Sequence, residues 1–550
     1  MTWCALVVFL PTVAMAATPV SVSTFHSIGL YWSPDEGVSG GECEVQYRPV
    51  GDSVWRTALP LWLDERNGEY RGSIVNLSPG TTYEIRLTLS EPNRSVTLKG
   101  STWREEFPIA RVVYLPEHSS TTLRIDQSGA PGAYVLYTGP GGRSTIDVKN
   151  REDTCIEVMP GVSHVVVRGL TLRGAREHAV RLREDVRDIV FEENDISSWG
   201  SVERDGWAAD RHSGIYAGPD TGVERLIVQR NRIHHPRGDS NSWSEYRRRH
   251  DTSHPMGPRA IYLADSKGNH VIRYNDIYSD EEHYFADIFG GASNFSFRGF
   301  PHRDTDIYAN SISHCWDDGI ESEGANTNVR IWGNYIDRTF VKIAIASTSM
   351  GPLYVWRNIA DTSRRSPVEN DSDAYGRGPF LKAGGVTRDG VWYGSGRTYV
   401  FHNVVLQSSP PPGRSFPLGS NGGVKASGGE VYELITRNNI FTNYKDWHDT
   451  FSDGTNSCTN SFDFDLYTGD IGNECAIAPH QRHGLQGVPV FDPANRQGQF
   501  ALVPGSPGHD SGVVIPNFND DYQGSAPDMG AFERNAASMQ FGVNAYRKLE

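Results

Sequence analysis

Four carboxylates fall within seven residues of one short segment, residues 315–324 (Cys-Trp-Asp-Asp-Gly-Ile-Glu-Ser-Glu-Gly). Asp287 precedes this segment, and Lys342 and Lys382 follow it. Neighbouring carboxylates can share the roles of general acid and of base or nucleophile, or they can hold a Ca²⁺ ion. A lysine beside them can bind an acidic group or accept a proton. The segment and its flanking charges are therefore the strongest candidate for a catalytic site.

Seven segments of the chain align without gaps on these residues and predict one strand of a repeating unit. Each has Ile, Leu or Val in the middle, which we expect to point into a core while its two neighbours point outward. The segments are Gly214–Tyr216, Ala260–Tyr262, Asp287–Phe289, Gly319–Glu321, Lys342–Ala344, Phe380–Lys382 and Gly423–Lys425. Stacked strands lie about 4.8 Å apart, so the alignment predicts one outward cluster with the Cβ atoms of Asp287 and Glu321 about 8 Å apart.

A second motif, Asn-x-Ile or a close variant, recurs through the same part of the chain. It begins at Asn194, Asn231, Asn275, Asn310, Asn334, Asn403 and Asn438, with a degenerate copy at Asn358. The smallest interval is 24 residues, which suits one coil of three short strands and three turns. We expect the asparagines to stack at one inner corner, where each amide satisfies turn carbonyls of neighbouring coils.

These two repeats make residues 106–500 similar to the right-handed parallel β-helix, the pectin-lyase-like fold of secreted carbohydrate-active proteins. The resemblance implies an all-β solenoid with a shallow outer groove. Residues 501–550, which contain Pro527-Asp-Met-Gly-Ala-Phe-Glu533, resemble the closing segment of bacterial members. The solenoid hosts lyases, hydrolases, epimerases and adhesins, so the fold alone does not assign a chemistry.

Residues 18–105 alternate apolar and polar positions in several short runs, as the half-buried strands of a small β-sandwich do. Trp32, Tyr47, Trp55 and the run Leu77-Ser-Pro-Gly-Thr-Thr-Tyr83 make this region resemble a fibronectin type III domain. The resemblance implies that Tyr83 is the corner tyrosine before the penultimate strand. It also implies a module that spaces, supports or docks rather than one that catalyses.

Residues 1–17 contain a short apolar core followed by Ala14-Met-Ala-Ala17, and they predict a secretory signal peptide. We therefore expect a secreted protein, extracellular or periplasmic. Cys458 and Cys475 lie close together in a polar loop, and an oxidising compartment would allow them to form a disulfide. The other cysteines after the signal show no zinc-ligand spacing and are expected to be buried thiols.

The overall composition excludes several classes of protein. The chain has 52 basic and 67 acidic side chains, a net charge of −15, which argues against nucleic acid as the main partner. No run after residue 17 approaches the roughly 18 apolar residues of a membrane span. An aromatic content of 11% excludes a disordered chain, and 57 glycines with 31 prolines exclude a coiled coil. We expect a monomer whose partner is a polysaccharide.

The charged cluster can be interpreted as a glycoside hydrolase site. Asp318 or Glu321 would then be the acid, and Asp287 or Glu323 the base, in an inverting arrangement. The Asp317-Asp318 pair resembles the paired aspartates of polygalacturonase-like hydrolases. The Asn-Thr-Asp, Gly-His-Gly and Arg-x-Lys motifs of that family do not occur in register.

A polysaccharide lyase is the second interpretation. Asp287, Glu321 and Glu323 would hold Ca²⁺, the ion would neutralise a uronate carboxylate, and Lys342 would remove the C5 proton. Glu321-x-Glu323 resembles the calcium site of alginate and chondroitin lyases, but the base lysine that those enzymes carry shortly downstream is missing. The remaining interpretations are a salt-bridged face without a site, since exposed ion pairs stabilise little, and a non-catalytic glycan-binding adhesin.

Candidate substrate-binding residues complete the predicted groove. An insertion at residues 236–258 carries Trp243, expected to stack on a sugar, and Arg248, expected to bind a carboxylate or sulfate. Tyr262, Lys382 and Lys425 stand on the outward columns of the aligned strands. The sequence thus predicts a secreted enzyme that cleaves glycosidic bonds of an acidic, uronate-containing polysaccharide. Hydrolysis without a cofactor is favoured over Ca²⁺-dependent β-elimination.

Overall fold

Strands supply nearly all the regular structure of the chain in this computed structural model, and the described residues contain no α-helix. The described residues are 18–34, 41–91, 93–363, 378–406, 422–426, 429–443, 448–493 and 500–547. The predicted signal peptide, residues 1–17, lies outside them. Within this part of the chain, no helix has the length and apolar character needed to cross a membrane. The chain divides into two units, with the boundary between Trp103 and Arg104.

The first unit is a seven-stranded antiparallel structure. Its strands are β1 Val20–Ser23, β2 Ile28–Trp32, β3 Cys43–Pro49, β4 Arg56–Asp64, β5 Glu69–Ile74, β6 Thr82–Leu89 and β7 Arg94–Ser101. They pair in the order β1-β2-β5-β4-β3-β6-β7 around a core that includes Trp32, Tyr47 and Tyr83. The hydroxyl oxygen of Tyr83 accepts a hydrogen bond from the main-chain N–H of Ser78 at 2.9 Å, which is a corner of the kind expected there. Its relation to fibronectin type III domains stays a prediction.

The second unit is built from short parallel strands that repeat along the chain. Its strands are β8 Ile109–Tyr114, β9 His118–Ser119, β10 Leu123–Ile125, β11 Tyr134–Thr138, β12 Ser144–Asp147, β13 Thr154–Val158, β14 Ser163–Arg168, β15 Leu170–Arg173, β16 His178–Leu182, β17 Arg187–Glu192, β18 Asp195–Ser197, β19 Ser213–Ala217, β20 Glu224–Gln229, β21 Arg232–His234, β22 Arg259–Leu263, β23 Val271–Arg273, β24 Asp276–Tyr278, β25 Phe289–Gly290, β26 Gly299–Phe300, β27 Asp306–Tyr308, β28 Ser311–Glu321, β29 Glu323–Gly324, β30 Val329–Trp332, β31 Tyr335–Ala344, β32 Leu353–Trp356, β33 Ile359–Ala360, β34 Leu381–Ala383, β35 Val386–Arg388, β36 Val391–Tyr393, β37 Thr398–Phe401, β38 Val404–Val405, β39 Val424–Ala426, β40 Leu434–Arg437, β41 Ile440–Phe441, β42 Asp449–Ser452, β43 Ser461–Phe462, β44 Leu466–Tyr467, β45 Asp470–Ile471 and β46 Leu485–Gln486.

Most of these strands stack into three parallel series, whereas β26 with β29 and β35 with β36 form two antiparallel pairs. Sheet I contains β8, β11, β14, β17, β20, β23, β27, β30, β32, β37, β40 and β43. Sheet II runs from β9, β12 and β15 to β41, β44 and β46, and sheet III from β10, β13 and β16 to β39, β42 and β45. The long strands β28 and β31 pass through the corner between sheets II and III and so belong to both. The predicted all-β class and parallel β-helix are confirmed.

The inside of the solenoid is a column of apolar side chains with one polar seam. Along the seam, the side-chain Nδ2 of each asparagine donates to the Oδ1 of the asparagine in the next coil, at 2.9–3.1 Å. The asparagine ladder comprises Asn194, Asn231, Asn275, Asn310, Asn334, Asn358, Asn403 and Asn439, and it ends on Asp465. Asn438 was the expected member of the penultimate coil. The ladder uses Asn439 instead, because Ile440 aligns with Val404 rather than with Val405.

The C-terminal residues 500–547, here named the C-terminal strap, run back along the outside of sheet II. Leu502 packs with Leu466 of a late coil, and Phe541 contacts Tyr335 of an earlier one at 5.8 Å between ring centroids. At its far end the strap forms an ion pair between Arg547 and Glu193 at 2.8 Å. The strap therefore covers an apolar outer face that no neighbouring strand covers. Near the end of the solenoid, a disulfide joins Cys458 to Cys475, with 5.2 Å between the Cα atoms.

Candidate functional site

The bend of β28 creates an acidic cluster on the outer face of sheet III. Where β28 leaves the corner, its register against β31 shifts between Cys315 and Asp318. Such an irregularity breaks the alternation of side chains and re-aims one of them. Asp317 and Asp318 consequently face the same side, although they are consecutive. One carboxylate oxygen from each of these two residues and one from Asp287 all lie within 4.8 Å of one another.

Asp287 lies in this cluster, but the register of its strand differs from the predicted one. The gapless alignment paired Ile288 with the apolar residues of the adjacent coils, but Phe289 is the residue that stacks on Ile261 and Ile320. The register of this coil was therefore wrong by one residue. The carboxylate of Asp287 accepts a hydrogen bond from the main-chain N–H of Asp318 at 3.1 Å.

Each aspartate of the cluster has a different set of partners. Asp287 forms an ion pair with Arg259 at 2.8 Å. Asp317 accepts a hydrogen bond from Trp243 Nε1 at 3.2 Å, and His254 Nε2 lies 3.4 Å from its other oxygen. Both of these partners belong to the insertion at residues 236–258, so the insertion forms one wall of the site.

The carboxylate of Asp318 is satisfied on one side only. Its Oδ2 forms an ion pair with Lys382 Nζ at 2.5 Å. Its Oδ1 is buried and has no hydrogen-bond partner among the residues that the structure describes. A buried carboxylate oxygen without a partner is energetically costly, and it calls for a proton or a cation.

Glu321 and Glu323 form a second acidic group beside the aspartates. The side-chain amide of Asn294 donates to Glu321 at 2.9 Å and to Glu323 at 2.5 Å. Lys382 Nζ lies 3.4 Å from Glu323, so this lysine touches both acidic groups. A Cβ atom on Gly290 would collide with the carboxylate of Glu321. The absence of a side chain at Gly290 therefore leaves room for this carboxylate beside the strand.

Burial sets the protonation of the cluster. It raises the pKa values of Asp317 and Glu321 well above their ordinary range, and neighbouring carboxylates add to the rise. Burial also raises the pKa of Glu323 to about 7, although Lys382 opposes the rise. The pKa of Lys382 itself lies well above its ordinary value, because Asp318 and Glu323 outweigh the effect of burial. In the absence of a cation, the cluster therefore retains protons at neutral pH.

Lys342, the predicted base, does not belong to the cluster. Its ammonium group is fully buried and donates to the main-chain oxygens of Thr339 at 3.2 Å and Thr362 at 2.6 Å. Burial lowers its pKa to about 8. The prediction failed because β31 turns the corner between sheets II and III just before Lys342, so the residue preceding Ile343 does not face the groove.

The predicted substrate-binding residues have unequal positions. Trp243 and Lys382 contact the cluster directly, as described above. Tyr262 is only 2% exposed and is stacked against Tyr216 at 5.5 Å, so its ring offers no free face for a sugar. Lys425 is half-buried on the strand beside that of Lys382. Arg248 is exposed on the insertion, and no described contact connects it with the carboxylates.

Arg259 and Asn294 are site residues that the sequence analysis missed. Arg259 begins β22, directly before the aligned segment Ala260–Tyr262, so an extension of that alignment by one position would have found it. Asn294 lies in a loop between β25 and β26. It belongs to no repeat, and no sequence pattern indicates it.

Comparisons with known proteins give a distant structural likeness. No protein-family model matches the chain, and no curated protein is similar to it. The pectate lyase Pel9A has 12% sequence identity over 78% of this chain and 86% of its own, with a TM-score of 0.33. The catalytic unit of a thermostable GH87 α-1,3-glucanase from Streptomyces thermodiastaticus strain HF3-3 has 12% identity over 85% and 87%, with a TM-score of 0.37. Likenesses at these values carry no argument about chemistry.

Proposed function

We propose that this chain is an enzyme that cleaves a uronate-containing polysaccharide by cation-dependent β-elimination at the acidic cluster of sheet III. One observation carries the proposal. Oxygens of Asp287, Asp317 and Asp318 lie within 4.8 Å of one another, and the buried Oδ1 of Asp318 has no hydrogen-bond partner among the described residues, while Lys382 Nζ pairs with the Oδ2 of the same carboxylate.

The three aspartates fit a hard divalent cation such as Ca²⁺, which prefers several carboxylate oxygens. They fit it better than the predicted set of Asp287, Glu321 and Glu323, because their oxygens lie within 4.8 Å of one another and the Oδ1 of Asp318 has no donor among the described residues, whereas Asn294 donates to both glutamates. When bound, Ca²⁺ would neutralise the uronate carboxylate, acidify the C5 proton and offset the negative charge that keeps Lys382 protonated.

The residues around the aspartates supply the proton transfers. Lys382 acts in its neutral form, which a bound cation would favour by offsetting the charge of Asp318 and Glu323. It then accepts the C5 proton on Nζ, the electron pair forms the C4–C5 double bond, and the bond from C4 to the glycosidic oxygen breaks. Glu321, which its raised pKa keeps protonated, gives a proton to the leaving oxygen. Arg259 holds Asp287 in place at 2.8 Å. Trp243 and His254 close the side of the site next to Asp317.

Hydrolysis is the second candidate, favoured by the different settings of the carboxyl groups. Glu321 is kept protonated by burial, as a general acid requires, whereas Asp287 is paired with Arg259, as suits a base. The spacing of the aspartates argues against an inverting pair among them, because their nearest oxygens are within 4.8 Å of one another. Inverting enzymes leave about 6.5–9.5 Å for the attacking water.

A product assay separates the two chemistries. The protein is incubated with polygalacturonate, alginate, chondroitin sulfate and a neutral glucan, with Ca²⁺ or with a chelator. Reducing ends and the absorbance of unsaturated uronate are followed together. We expect both signals to rise on an acidic polymer and to vanish with the chelator. Reducing ends alone, unaffected by the chelator, would identify the hydrolase, and silence on every polymer would favour a glycan-binding protein.

Two lysines of the same outward column provide a matched pair of variants. Lys382→Ala is expected to lower turnover at least about 10³-fold, because it removes the base. Lys425→Ala changes the same residue type on the adjacent strand and is expected to lower turnover less than tenfold. Equal losses in the two variants would contradict the role of Lys382 as base.

Cation binding has a readout that does not need substrate. Trp243 lies 3.2 Å from Asp317, so its indole can sensitise the luminescence of Tb³⁺ bound at the aspartates. Asp318→Asn is expected to abolish this luminescence. The control, Asp185→Asn, changes an acid that pairs with Lys267 at 2.9 Å away from the cluster, and it should leave the signal unchanged.

The disulfide between Cys458 and Cys475 supports action in an oxidising compartment outside the cytoplasm.

A further inference from the structure

A cavity of about 520 Å³ opens on the outer face of sheet III, away from the carboxylates of the acidic cluster. It is lined by residues of β16 and β19 and of the turns around them, among them His178, Arg181, Arg211, Tyr216 and Thr221. None of these residues belongs to the acidic cluster, and the chemistry proposed above does not use them.

The cavity shares a residue column with the acidic cluster. Arg181 pairs with Tyr216, Tyr216 with Tyr262, and Tyr262 with Gly290. The strand of Gly290 is adjacent to that of Glu321. Three coil spacings therefore separate Tyr216 from Glu321, about 14 Å along the solenoid axis. A polymer longer than this distance that runs parallel to the solenoid axis spans both places.

Arg211 gives the cavity its available positive charge. Its side chain is 60% exposed, and its contact with Asp210 is made at 3.3 Å through Nε. Asp210 is shared with Arg259, at 2.8 Å. Arg181 and Arg183, by contrast, are engaged in ion pairs with Glu177 and Glu157. The remaining N–H groups of the Arg211 guanidinium can bind a carboxylate or sulfate with two parallel hydrogen bonds.

Stacked rings form the floor of the cavity. His178 lies flat on Tyr216, with 3.8 Å between ring centroids and 11° between the planes. Burial lowers the pKa values of His178 and His212, so both rings are neutral at neutral pH and leave the charge to arginine. Tyr262 stacks on the other side of Tyr216, with 5.5 Å between ring centroids, so Tyr216 meets the cavity with its edge and not with a face. An aromatic edge beside a hydrogen-bonding cation combines apolar contact with polar recognition of a ligand.

We propose that this cavity is a remote substrate subsite for an anionic sugar residue, in which Arg211 binds the carboxylate or sulfate and the sugar packs against the edge of Tyr216. The inference rests on the proposed function for its polymer, and it adds that the enzyme binds the chain about three coils away from the bond that it cleaves. A groove occupied at that distance belongs to an enzyme that acts within long chains rather than on short fragments.

The test compares long and short substrates of whichever polyuronate the protein cleaves. Arg211→Ala is expected to lower kcat/KM on the polymer about tenfold to hundredfold, through KM, because a charge-assisted hydrogen bond is lost. Fragments of two or three sugar units do not reach the cavity, so their cleavage should be unchanged. Arg211→Lys should restore part of the affinity for the polymer. The control, Arg173→Ala, removes a similarly exposed arginine from sheet II, paired with Asp147 at 3.1 Å.

A binding measurement keeps this test separate from the test of catalysis. Electrophoresis through gels that contain polygalacturonate, alginate or chondroitin sulfate reports affinity without turnover. If the wild-type protein is retarded but cleaves nothing, the proposed reaction fails while the subsite still predicts that Arg211→Ala abolishes the retardation. Retardation or polymer cleavage equal to wild type in Arg211→Ala would overturn the subsite. So would an equal loss of activity on long and short substrates.

Discussion

The asparagine ladder and the acidic cluster are both columns of buried polar side chains that run across the coils, yet they are built on opposite principles. In the ladder, Asn310 donates to Asn334 and accepts from Asn275, so each amide satisfies the next. In the cluster, five carboxylates share a few cationic partners, and within the described part of the chain one oxygen of Asp318 has no partner. Buried polar groups in proteins are nearly always paired.

The difference indicates which column serves folding and which serves function. A neutral, self-complementary ladder lowers the free energy of the folded state wherever it is continued. A cluster of like charges raises that free energy, and such conflicts are expected where a site binds or transforms a ligand. The predictions below challenge this division, beginning with the largest effect.

Neutralising one acid should separate activity from stability. Asp317→Asn has the shape and charge of the protonated aspartate that burial already favours. We expect turnover to fall about 10³-fold, equivalent to about 4 kcal/mol of barrier, while the free energy of unfolding is unchanged or higher. Activity assays and chemical denaturation of the same sample check this. A variant that loses stability in proportion to its activity would show that the cluster is structural.

Breaking the ladder should have the reverse effect. Asn310→Ala removes buried hydrogen bonds to Asn334 and to the main-chain oxygen of Ile272, and it leaves the groups of adjacent coils without partners. We expect the free energy of unfolding to fall by about 3–5 kcal/mol. Specific activity per folded molecule should remain within twofold of wild type. Retained stability in this variant would mean that the ladder contributes little to folding.

The disulfide gives a covalent contribution to stability with which the contribution of the ladder can be compared. Cys458 and Cys475 are separated by 17 residues, and closing a loop of that size stabilises a protein by about 3 kcal/mol in the chain-entropy model. Replacing both cysteines by serine should lower the free energy of unfolding by about 2–3 kcal/mol, measured by denaturation. Cleavage of the substrate should be unaffected, since no residue of the acidic cluster contacts the disulfide.

The smallest effect concerns pH. Burial raises the pKa of Glu323 from 4.5 to about 7, so the folded state binds this proton more tightly than the unfolded state. Its contribution to stability is greatest below pH 4.5 and falls as the pH rises towards 7. We expect a loss on the order of 2 kcal/mol over this window, seen as a lower Tm. Glu323→Gln should reduce the slope, and saturating Ca²⁺ should reduce it as well. A slope unchanged in Glu323→Gln would exclude this glutamate as the cause.

The fold was predictable because the same pattern of residues recurs in each coil. The site was predictable only where its residues follow that pattern. The asparagine motif and the aligned apolar residues identified the β-helix, and the segment 315–324 contained four of the five carboxylates. The register of Asp287 and the direction of Lys342 were wrong, since both residues lie where a strand is irregular. Neither the bend of β28 nor the loop that carries Asn294 leaves a periodic trace in the sequence.

The C-terminal strap changes how such a solenoid must fold. Coils that touch only their neighbours form a nearly one-dimensional array, which can grow coil by coil and fray from its ends. Here Arg547 is paired with Glu193 at a sequence separation of 354, and the strap joins early coils to late ones. Contacts of such long range slow folding, because residues of the strap must return to coils formed several hundred positions earlier in the sequence. The array should consequently unfold as one cooperative unit, since the strap couples coils that do not touch one another directly.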